Sequence, residues 1–384
     1  MQLVAYGAQD VYLTGDPQIT YFKVVYRRHT NFSMECIQQT FNGTPGANKK
    51  VSTTISRNGD LIGAMHIAVP DIAITVDANG SGVLDAQKQS TARQVGTFQD
   101  YVDEVTVEIG GQQIDKHYGK WLDIWYDLST NLQNKPKSTL FTDPWHGTAA
   151  VATTPASTHK IAAGGFGYSY IPLQFWFNRN AGLALPLIAL QYHEVKLTIK
   201  FATTEPTGSK RDLTKAQLWV DYFYLDTEER KRFAQMSHEY LIDQLQFTGS
   251  ENLTAAGDKF RLNFNHPVKE LVWETQTNHL DGTVKLQLNG HDRFAERNFK
   301  YFTRLQKYYH HTNVPTGGSS NVGVYSFALR PEEHQPSGTC NFSRIDNATL
   351  VSGSAGGAGT IDIYAVNYNV LRVVSGMGGL AYSN

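Results

Sequence analysis

Cysteine is scarce in this chain of 384 residues, which contains only Cys36 and Cys340. One distant pair cannot form a disulfide framework, and the absence of a CxxC pair argues against a zinc site. Such cysteine usage is typical of proteins in a reducing compartment. The length is nevertheless sufficient for two or three domains with large apolar cores.

Neither sign of charge is in excess, because 34 Lys and Arg residues face 35 Asp and Glu residues. This balance gives no overall attraction to nucleic acid or to an anionic membrane. The most apolar run, AGLALPLIAL at 181–190, contains Pro186 and is well short of the ~20 residues of a bilayer span. No Lys or Arg precedes Lys23, so we expect no secretory leader and a soluble, intracellular product.

Motifs of common catalytic and metal sites are also missing. The sequence has no HxH, HExxH or GxSxG motif, and the GMGG run at 376–379 is interpreted as a flexible or bulged chain end. Metal ligands must converge on one point. We therefore interpret His310 and His311 as ordinary surface or loop residues, and His193-Glu194 as a satisfied strand pair. The sequence predicts no enzymatic activity, no cofactor and no metal.

The chain does contain many apolar residues that alternate with a period of two. Clear examples are 102–109 (VDEVTVEI), 196–201 (KLTIKF) and 284–288 (VKLQL). Such runs indicate antiparallel strands with one solvent-facing side. Asn-Gly pairs, which favour tight hairpin turns, recur at 42–43, 58–59, 79–80 and 289–290. Many short strands with glycine turns favour a β-sandwich or barrel.

Helical periodicity is limited to three segments, which are 118–132, 226–237 and 294–307. Asp226 is a candidate N-cap for the second of these predicted helices. Two segments rich in small and polar residues, 135–165 and 351–360, are predicted to be loops. The predicted fold class is therefore all-β with a few short helices.

The sequence also contains an internal duplication. Four segments of the first half match four of the second in the same order, namely 41–43 with 247–249, 109–115 with 288–294, 168–170 with 325–327, and 219–225 with 365–371. This order indicates two copies of one all-β unit, and units of this size suit eight-stranded jelly rolls. We assign 1–20 to an N-terminal arm, 21–225 to a first jelly roll, 226–241 to a linker helix and 242–384 to a second jelly roll.

One glycine in each copy of the duplicated turn is a candidate structural residue. Gly111 and Gly290 each follow an alternating strand and come before a predicted helix. Glycine adopts a positive φ angle without steric cost. We therefore predict that both glycines are needed for folding.

Several segments carry a family resemblance. They include GAQDVYLTGDPQITYFKVVYRRHTNF (7–32), RNGDLI (57–62), EIGGQQIDKHYGKW (108–121), GLALPLIALQYHEVKL (182–197), WVDYFYLDTEERKRFAQ (219–235), HEYLIDQLQFTG (238–249), RLNFNHP (261–267) and QPSGTCNFSRIDNATL (335–350). The chain resembles the major capsid proteins of nucleocytoplasmic large DNA viruses, above all the algal-virus (phycodnavirus) members. It is short between Thr275 and Val284 and around 351–360, where relatives often carry insertions.

The resemblance implies a double jelly roll that assembles as a homotrimer. The six jelly rolls of a trimer would form a pseudo-hexagonal capsomer that tiles an icosahedral shell. Its partners would be neighbouring capsomers and inner or minor capsid proteins, without direct contact to nucleic acid and without membrane insertion. Some relatives carry glycans on outer loops, so glycans are possible here, but no position is assigned. The resemblance places the protein in the virion after synthesis in the host cytoplasm.

Two alternatives to the major capsid protein stay open. A minor capsomer or spike paralogue of the same virus would have a similar sequence, and copy number per virion would separate the two. A glycan-binding or cupin-like jelly-roll protein belongs to another functional class. The missing HxH motif and the full-length resemblance argue against it.

The arm at 1–20 precedes both repeats but is too apolar to stay in water. Its candidate assembly residues are Leu3, Tyr6, Val11, Leu13 and Ile19. We expect them to pack beneath the capsomer, against a neighbouring chain or an inner capsid protein.

Overall fold

Antiparallel strands make up most of the regular structure. The computed structural model describes residues 7–24, 26, 28–70, 97–130, 168–203, 212–253, 257–275, 282–314, 321–353 and 359–383. The predicted loop at 135–165 lies outside these residues. The predicted loop at 351–360 is described only at its two ends, which belong to strands.

The first jelly roll contains strands β1 (Phe32–Gln39), β2 (Lys50–Thr54), β3 (Leu61–Pro70), β4 (Val102–Ile109), β5 (Gln112–Tyr118), β6 (Tyr168–Pro172), β7 (Leu185–Pro186), β8 (Val195–Phe201) and β9 (Gln217–Leu225). One sheet has the order β1-β9-β3-β6 with β7 beside β3, and the facing sheet has the order β2-β8-β4-β5. The alternation predicted for β4 is confirmed, since Val105, Val107 and Ile109 are all buried in the core between the sheets.

The second jelly roll contains β10 (His238–Leu253), β11 (Lys259–Arg261), β12 (Pro267–Thr275), β13 (Thr283–Leu288), β14 (His291–Asp292), β15 (Arg297–Asn298), β16 (Val322–Ser326), β17 (Cys340–Asn341), β18 (Ala348–Ser352), β19 (Gly359–Val374) and β20 (Met377–Leu380). Its sheets have the orders β10-β19-β12-β16 and β11-β18-β13-β14. Taken in sheet order, each of these eight strands occupies the place of one strand of the first roll, from β10 in the place of β1 to β14 in the place of β5. This agreement confirms the predicted duplication and the double jelly roll.

The residue-by-residue match between the repeats is wrong in two of the four segments. Tyr168 faces outwards on β6, whereas its matched residue Tyr325 packs towards the core of the second roll. Trp219 likewise lies on the face of β9 opposite the core residue Val220, whereas its match Ala365 is a core residue. A shift of one residue along a strand moves every side chain to the other face. The strands of the two rolls therefore correspond, but the residue-by-residue alignment of these two segments is out of register.

The helices are α1 (Val11–Thr14), α2 (Gly119–Ser129), α3 (Trp176–Arg179), α4 (Thr227–Gln235) and α5 (Gln306–His310). Helix α2 confirms the prediction at 118–132. Helix α4 confirms the prediction at 226–237, and the Asp226 carboxylate accepts a hydrogen bond from the Thr227 N–H at 2.7 Å. Short 3₁₀ turns lie at Phe98–Asp100, Ala181–Leu183, Leu213–Lys215 and Phe342–Arg344.

The predicted helix at 294–307 was wrong in its start and in its type. Residues 297–298 form β15, and a π-helical turn at Tyr301–Leu305 leads into α5, which ends at His310. Phe299 and Phe302, which have helical spacing, lie in the helical run that begins at residue 299 and are buried in the core, whereas Leu305 is 40% exposed. A π turn also inserts one residue into the helical repeat.

The two jelly rolls share part of one core. Strands β10 and β19 have 16 residues each, and three of their side chains (Ile242, Leu371 and Val373) lie in the core of the first roll. The GMGG run belongs to an ordered hairpin rather than a flexible end, because Ser375 and Gly376 have φ angles of 53° and 79° between β19 and β20.

This terminal hairpin also contacts the first roll. The Gly378 N–H donates to Nδ1 of His193 at 3.1 Å, so His193 lies at a contact between the rolls, just before β8. Leu380 of the same hairpin is partly buried against the core of the first roll.

Candidate functional site

Helix α2 lies between the two jelly rolls and has two buried apolar sides. Leu122 and Tyr126 join the core of the first roll, to which the helix belongs. The opposite side packs on the outer face of the second roll in a cluster formed by Trp121, Ile124, Trp125, Leu128, Val272, Val324, Tyr364 and Val366. A helix of one roll thus covers a sheet of the other, and we call this arrangement the inter-roll contact.

Polar groups at the edge of the inter-roll contact are paired. The Lys120 ammonium, from α2, forms ion pairs with Asp362 and, at 3.0 Å, with Glu274 of the second roll. Burial disfavours the ammonium ion, but the two carboxylates outweigh burial and raise the pKa of Lys120. The Asp115 carboxylate accepts a hydrogen bond from the Leu245 N–H at 3.1 Å, which joins β5 to β10.

A group of buried charges centred on Asp243 lies beside this contact. Its carboxylate is 2.8 Å from the Arg179 guanidinium of the first roll and 3.1 Å from the Lys269 ammonium of the second. Lys269 is fully buried, and burial lowers its pKa although Asp243 opposes this shift. The Arg179 guanidinium also lies 4.8 Å from the ring centroid of Trp125, which is a cation–π distance.

A second buried group contradicts the interpretation of His311 as a surface or loop residue. Its ring lies 3.1 Å from the Glu270 carboxylate and 3.0 Å from the Glu332 carboxylate. Glu332 also accepts a hydrogen bond from the Thr312 N–H at 3.0 Å. Nothing in the sequence near His311 signals this site, because its partners lie on a distant strand and a distant loop.

The helical segment of the second roll exposes an apolar side. Phe302 and Gln306 are buried against the roll, whereas Leu305, Tyr308 and Tyr309 are exposed to 40%, 71% and 63%. We call the latter three residues the exposed helix face.

The outer face of the first roll exposes aromatic rings. Tyr168 and Tyr170 of β6 stack with their ring centroids 6.1 Å apart, and the His66 ring of β3 lies 5.7 Å from that of Tyr170. Trp219 of β9 occupies the position opposite His66 and is half-buried. We call these four residues the aromatic face.

The segment before β1 is also exposed and apolar. Val11 and Ile19, two of the predicted assembly residues, are 61% and 71% exposed. Leu3, Tyr6 and the side chain of Leu13 lie outside what the structure describes. Further exposed apolar side chains follow at Tyr12, Tyr21, Phe22, Val24 and Tyr26. Monomeric proteins rarely expose so many apolar side chains in one segment.

The duplicated turns have matching backbones. Gly110 and Gly111 have φ angles of 58° and 83°, and Asn289 and Gly290 have φ angles of 51° and 78°. Two successive positive φ values are typical of a two-residue hairpin turn. A strand follows each turn and precedes the helical segment, namely β5 after Gly111 and β14 after Gly290.

Both cysteines are free thiols. Partial burial and the neighbouring Asp221 raise the pKa of Cys36 to about 12, which keeps the thiol protonated. Within the described parts of the chain, no group of three or more His, Cys, Asp or Glu side chains is arranged so that it could hold a metal ion. No described helix has the length and apolar character needed to span a bilayer. The absence of a cofactor or metal from the native protein stays a prediction.

Two family models match nearly the whole chain. A model described as the N-terminus of major capsid proteins matches residues 20–226. A second, for the major capsid protein of large eukaryotic DNA viruses, matches residues 229–283 and 282–379. The chain belongs to this family of major capsid proteins.

Individual relatives agree with the family models. A major capsid protein of Pyramimonas orientalis virus is 50% identical and aligns over 100% of this chain and 99% of its own length. That of Paramecium bursaria Chlorella virus 1 is 42% identical with the same coverage. A chain from a quasi-atomic model of the PBCV-1 virus capsid has a TM-score of 0.74 at 36% identity, covering 95% of this chain and 100% of the other.

A major capsid protein has a structural role and is located in the virion, where it assembles with other capsid components. The predicted family, the fold class and the location in the capsid are therefore confirmed. The surfaces described above are accordingly candidates for assembly contacts.

Proposed function

We propose that three copies of this capsid protein form a homotrimer whose six jelly rolls make a pseudo-hexagonal capsomer of an icosahedral shell. The observation that supports this proposal is the matching order of the sheets in the two rolls, together with the inter-roll contact that holds them side by side. A trimer of single rolls has three equivalent sides, whereas a flat lattice surrounds each tile with six neighbours. Two similar rolls per chain supply six similar edges.

The proposed role is structural and not enzymatic. The buried carboxylates of Asp243 and Glu270 pair with cations from neighbouring elements, so neither charge is left uncompensated in the interior. The net charge of −1 also suits units that pack side by side, since it produces little long-range repulsion.

The proposed partners are further copies of this chain, neighbouring capsomers and inner or minor capsid proteins. We propose that the arm at 1–20 makes one of these contacts, beneath the capsomer. Burial of apolar side chains such as Val11 and Ile19 would drive this contact at about 0.8 kcal/mol per CH₂ group. The division into 1–20, 21–225, 226–241 and 242–384 is part of the same proposal.

Native mass spectrometry of the purified protein tests the trimer. We expect a species of about 128 kDa, three times the 42.8 kDa of one chain. Interfaces of obligate oligomers usually bury more than ~2,000 Å², so this species should persist on dilution. A monomer at micromolar concentration would contradict the proposal. Copy number per virion would then distinguish a major from a minor capsomer.

A further inference from the structure

The inter-roll contact gives a structural template for a second contact. In it, a helix that follows β5 of the first roll packs on the outer face of β12, β16 and β19 of the second roll. The second roll has its own helical segment, Tyr301–His310, which follows β14 and β15 in the corresponding place. Among the described residues of one chain, no third roll is present to receive that helix.

The two helical segments have the same division of faces. In α2, Leu122 and Tyr126 face their own roll, and the residues on the other side bind the next roll. In the second segment, Phe302 and Gln306 occupy the inward positions with the same spacing of four. The exposed helix face of Leu305, Tyr308 and Tyr309 therefore corresponds to the side of α2 that makes the inter-roll contact.

The receiving surface is repeated as well. By sheet order, β12, β16 and β19 correspond to β3, β6 and β9 of the first roll. The outer face of these three strands carries the aromatic face, in which Tyr168 and Tyr170 are each 40% exposed. In the second roll the corresponding surface, with Val324 and Tyr364, is fully covered by α2.

We propose that the exposed helix face of one copy docks on the aromatic face of a second copy of this chain. This inference rests on the proposed homotrimer and assigns the surfaces that build it. The contact is head-to-tail, because each copy offers a helix on one side and a sheet on the other. Such contacts close into rings when the rotation between copies allows it. Alternating inter-roll and intermolecular contacts would then join six jelly rolls.

The chemistry of the two surfaces agrees with this docking. Tyr308 and Tyr309 would meet aromatic rings, and aromatic pairs contribute beyond the area that they bury. The same helical segment exposes Arg304, and the outer face of β9 carries the half-buried Asp221. The inter-roll contact has the same distribution of charge, because a cation of its helix, Lys120, pairs with a carboxylate of its sheet, Asp362.

Two single substitutions test the proposal by native mass spectrometry and analytical ultracentrifugation. Tyr308→Asp alters only the helix and Tyr170→Asp only the sheet, and each should shift the trimer to monomer. Met236→Asp alters another apolar side chain, 55% exposed and outside both surfaces, and should leave the trimer intact. Circular dichroism checks that each variant is folded. If Tyr308→Asp does not fold, Leu305→Asp replaces it, and Tyr168→Asp likewise replaces Tyr170→Asp.

Mixing the two monomeric variants tests the head-to-tail geometry. The intact helix of Tyr170→Asp can bind the intact sheet of Tyr308→Asp, so an equimolar mixture should form a heterodimer that contains one copy of each. Trimeric variants, or a mixture that stays monomeric, would overturn the docking surfaces. A monomeric wild-type protein would instead overturn the homotrimer, and the inference with it. If the aromatic face is covered by the chain's own arm and not by a second copy, both variants stay trimeric, and the docking proposal is overturned.

Discussion

Nε2 of His311 lies 3.1 Å from Oε2 of Glu270, and both side chains are fully buried. Burying an ion pair costs desolvation energy, and removing one partner leaves an uncompensated charge. Burial alone would lower the pKa of His311, but Glu270 and Glu332 outweigh burial and raise it to about 9. The ring is therefore charged at neutral pH, and the stability of the second roll depends on this proton.

The first prediction concerns stability against pH. The folded pKa of about 9 exceeds the ordinary value of 6.5, so the stabilisation is complete below pH 6.5 and is lost as pH rises through 9. A shift of this size corresponds to about 3 kcal/mol. Burial lowers the pKa of Lys307 to about 8, which favours the folded state above pH 8 and opposes the loss there. We therefore expect the melting temperature to fall between pH 6.5 and 8.

A matched pair of histidine variants checks this prediction by differential scanning fluorimetry. His311→Gln should lower the melting temperature at pH 6.5 and remove most of its fall towards pH 8. His310→Gln changes the adjacent ring, whose Nδ1 lies 3.0 Å from the Leu329 carbonyl oxygen, and this variant should keep the fall in melting temperature. Equal pH profiles for both variants would show that His311 is not the titrating group.

The second prediction concerns the charges at the inter-roll contact. Asp243→Asn should destabilise the protein by about 3–5 kcal/mol, because Lys269 is left buried without its counter-charge. Arg179→Met should cost less, since it leaves the buried Lys269–Asp243 pair in place. Urea unfolding at neutral pH measures both free energies. A larger loss for Arg179→Met than for Asp243→Asn would contradict this order.

The third prediction concerns the duplicated turns. Gly111→Val and Gly290→Val should each destabilise the fold by about 1–2 kcal/mol, the cost of forcing a non-glycine residue into a left-handed conformation. A Cβ atom at either position would meet no atom within 4 Å, so a steric clash does not add to the cost. Asn tolerates positive φ, and the corresponding Asn variants should lose much less stability. If both valine variants melt at the same temperature as the wild-type protein, glycine is not required at these two turns.

The fourth prediction concerns the arm. A protein lacking residues 1–20 should still form trimers, since β1 begins only at Phe32, but its shells should fail to assemble or should lose regularity. Native mass spectrometry measures the trimer and electron microscopy the particles. Normal particles from the truncated protein would contradict a role in assembly. Complete failure to fold would instead place the arm in the core.

Local patterns were enough to predict several of the strands and the presence of a duplication. Alternation identified β4, β8 and β13, because one face of each contacts a core and leaves a clear period of two. The same period fails to fix register where both faces are apolar. Tyr168 points outwards and Tyr325 points inwards, although the sequences of the segments 168–170 and 325–327 are similar.

Contacts between distant segments could not be predicted in this way. The sequence of α2 predicts one apolar side, but Leu122 and Trp121 bind different rolls, and the second partner is defined only by the fold. The group around His311 is of the same kind, since residues from three separate elements converge there. The inter-roll contact and the buried charges were therefore found only in the structure.

The long strands β10 and β19 have a mechanical consequence for the particle. Each carries side chains into both hydrophobic cores, so bending one roll against the other would open apolar surface to water. The chain should behave as a single stiff plate without a hinge. The curvature that closes a polyhedral shell would then arise at the seams between plates, where exposed apolar side chains such as Val11 and Ile19 are available for contacts.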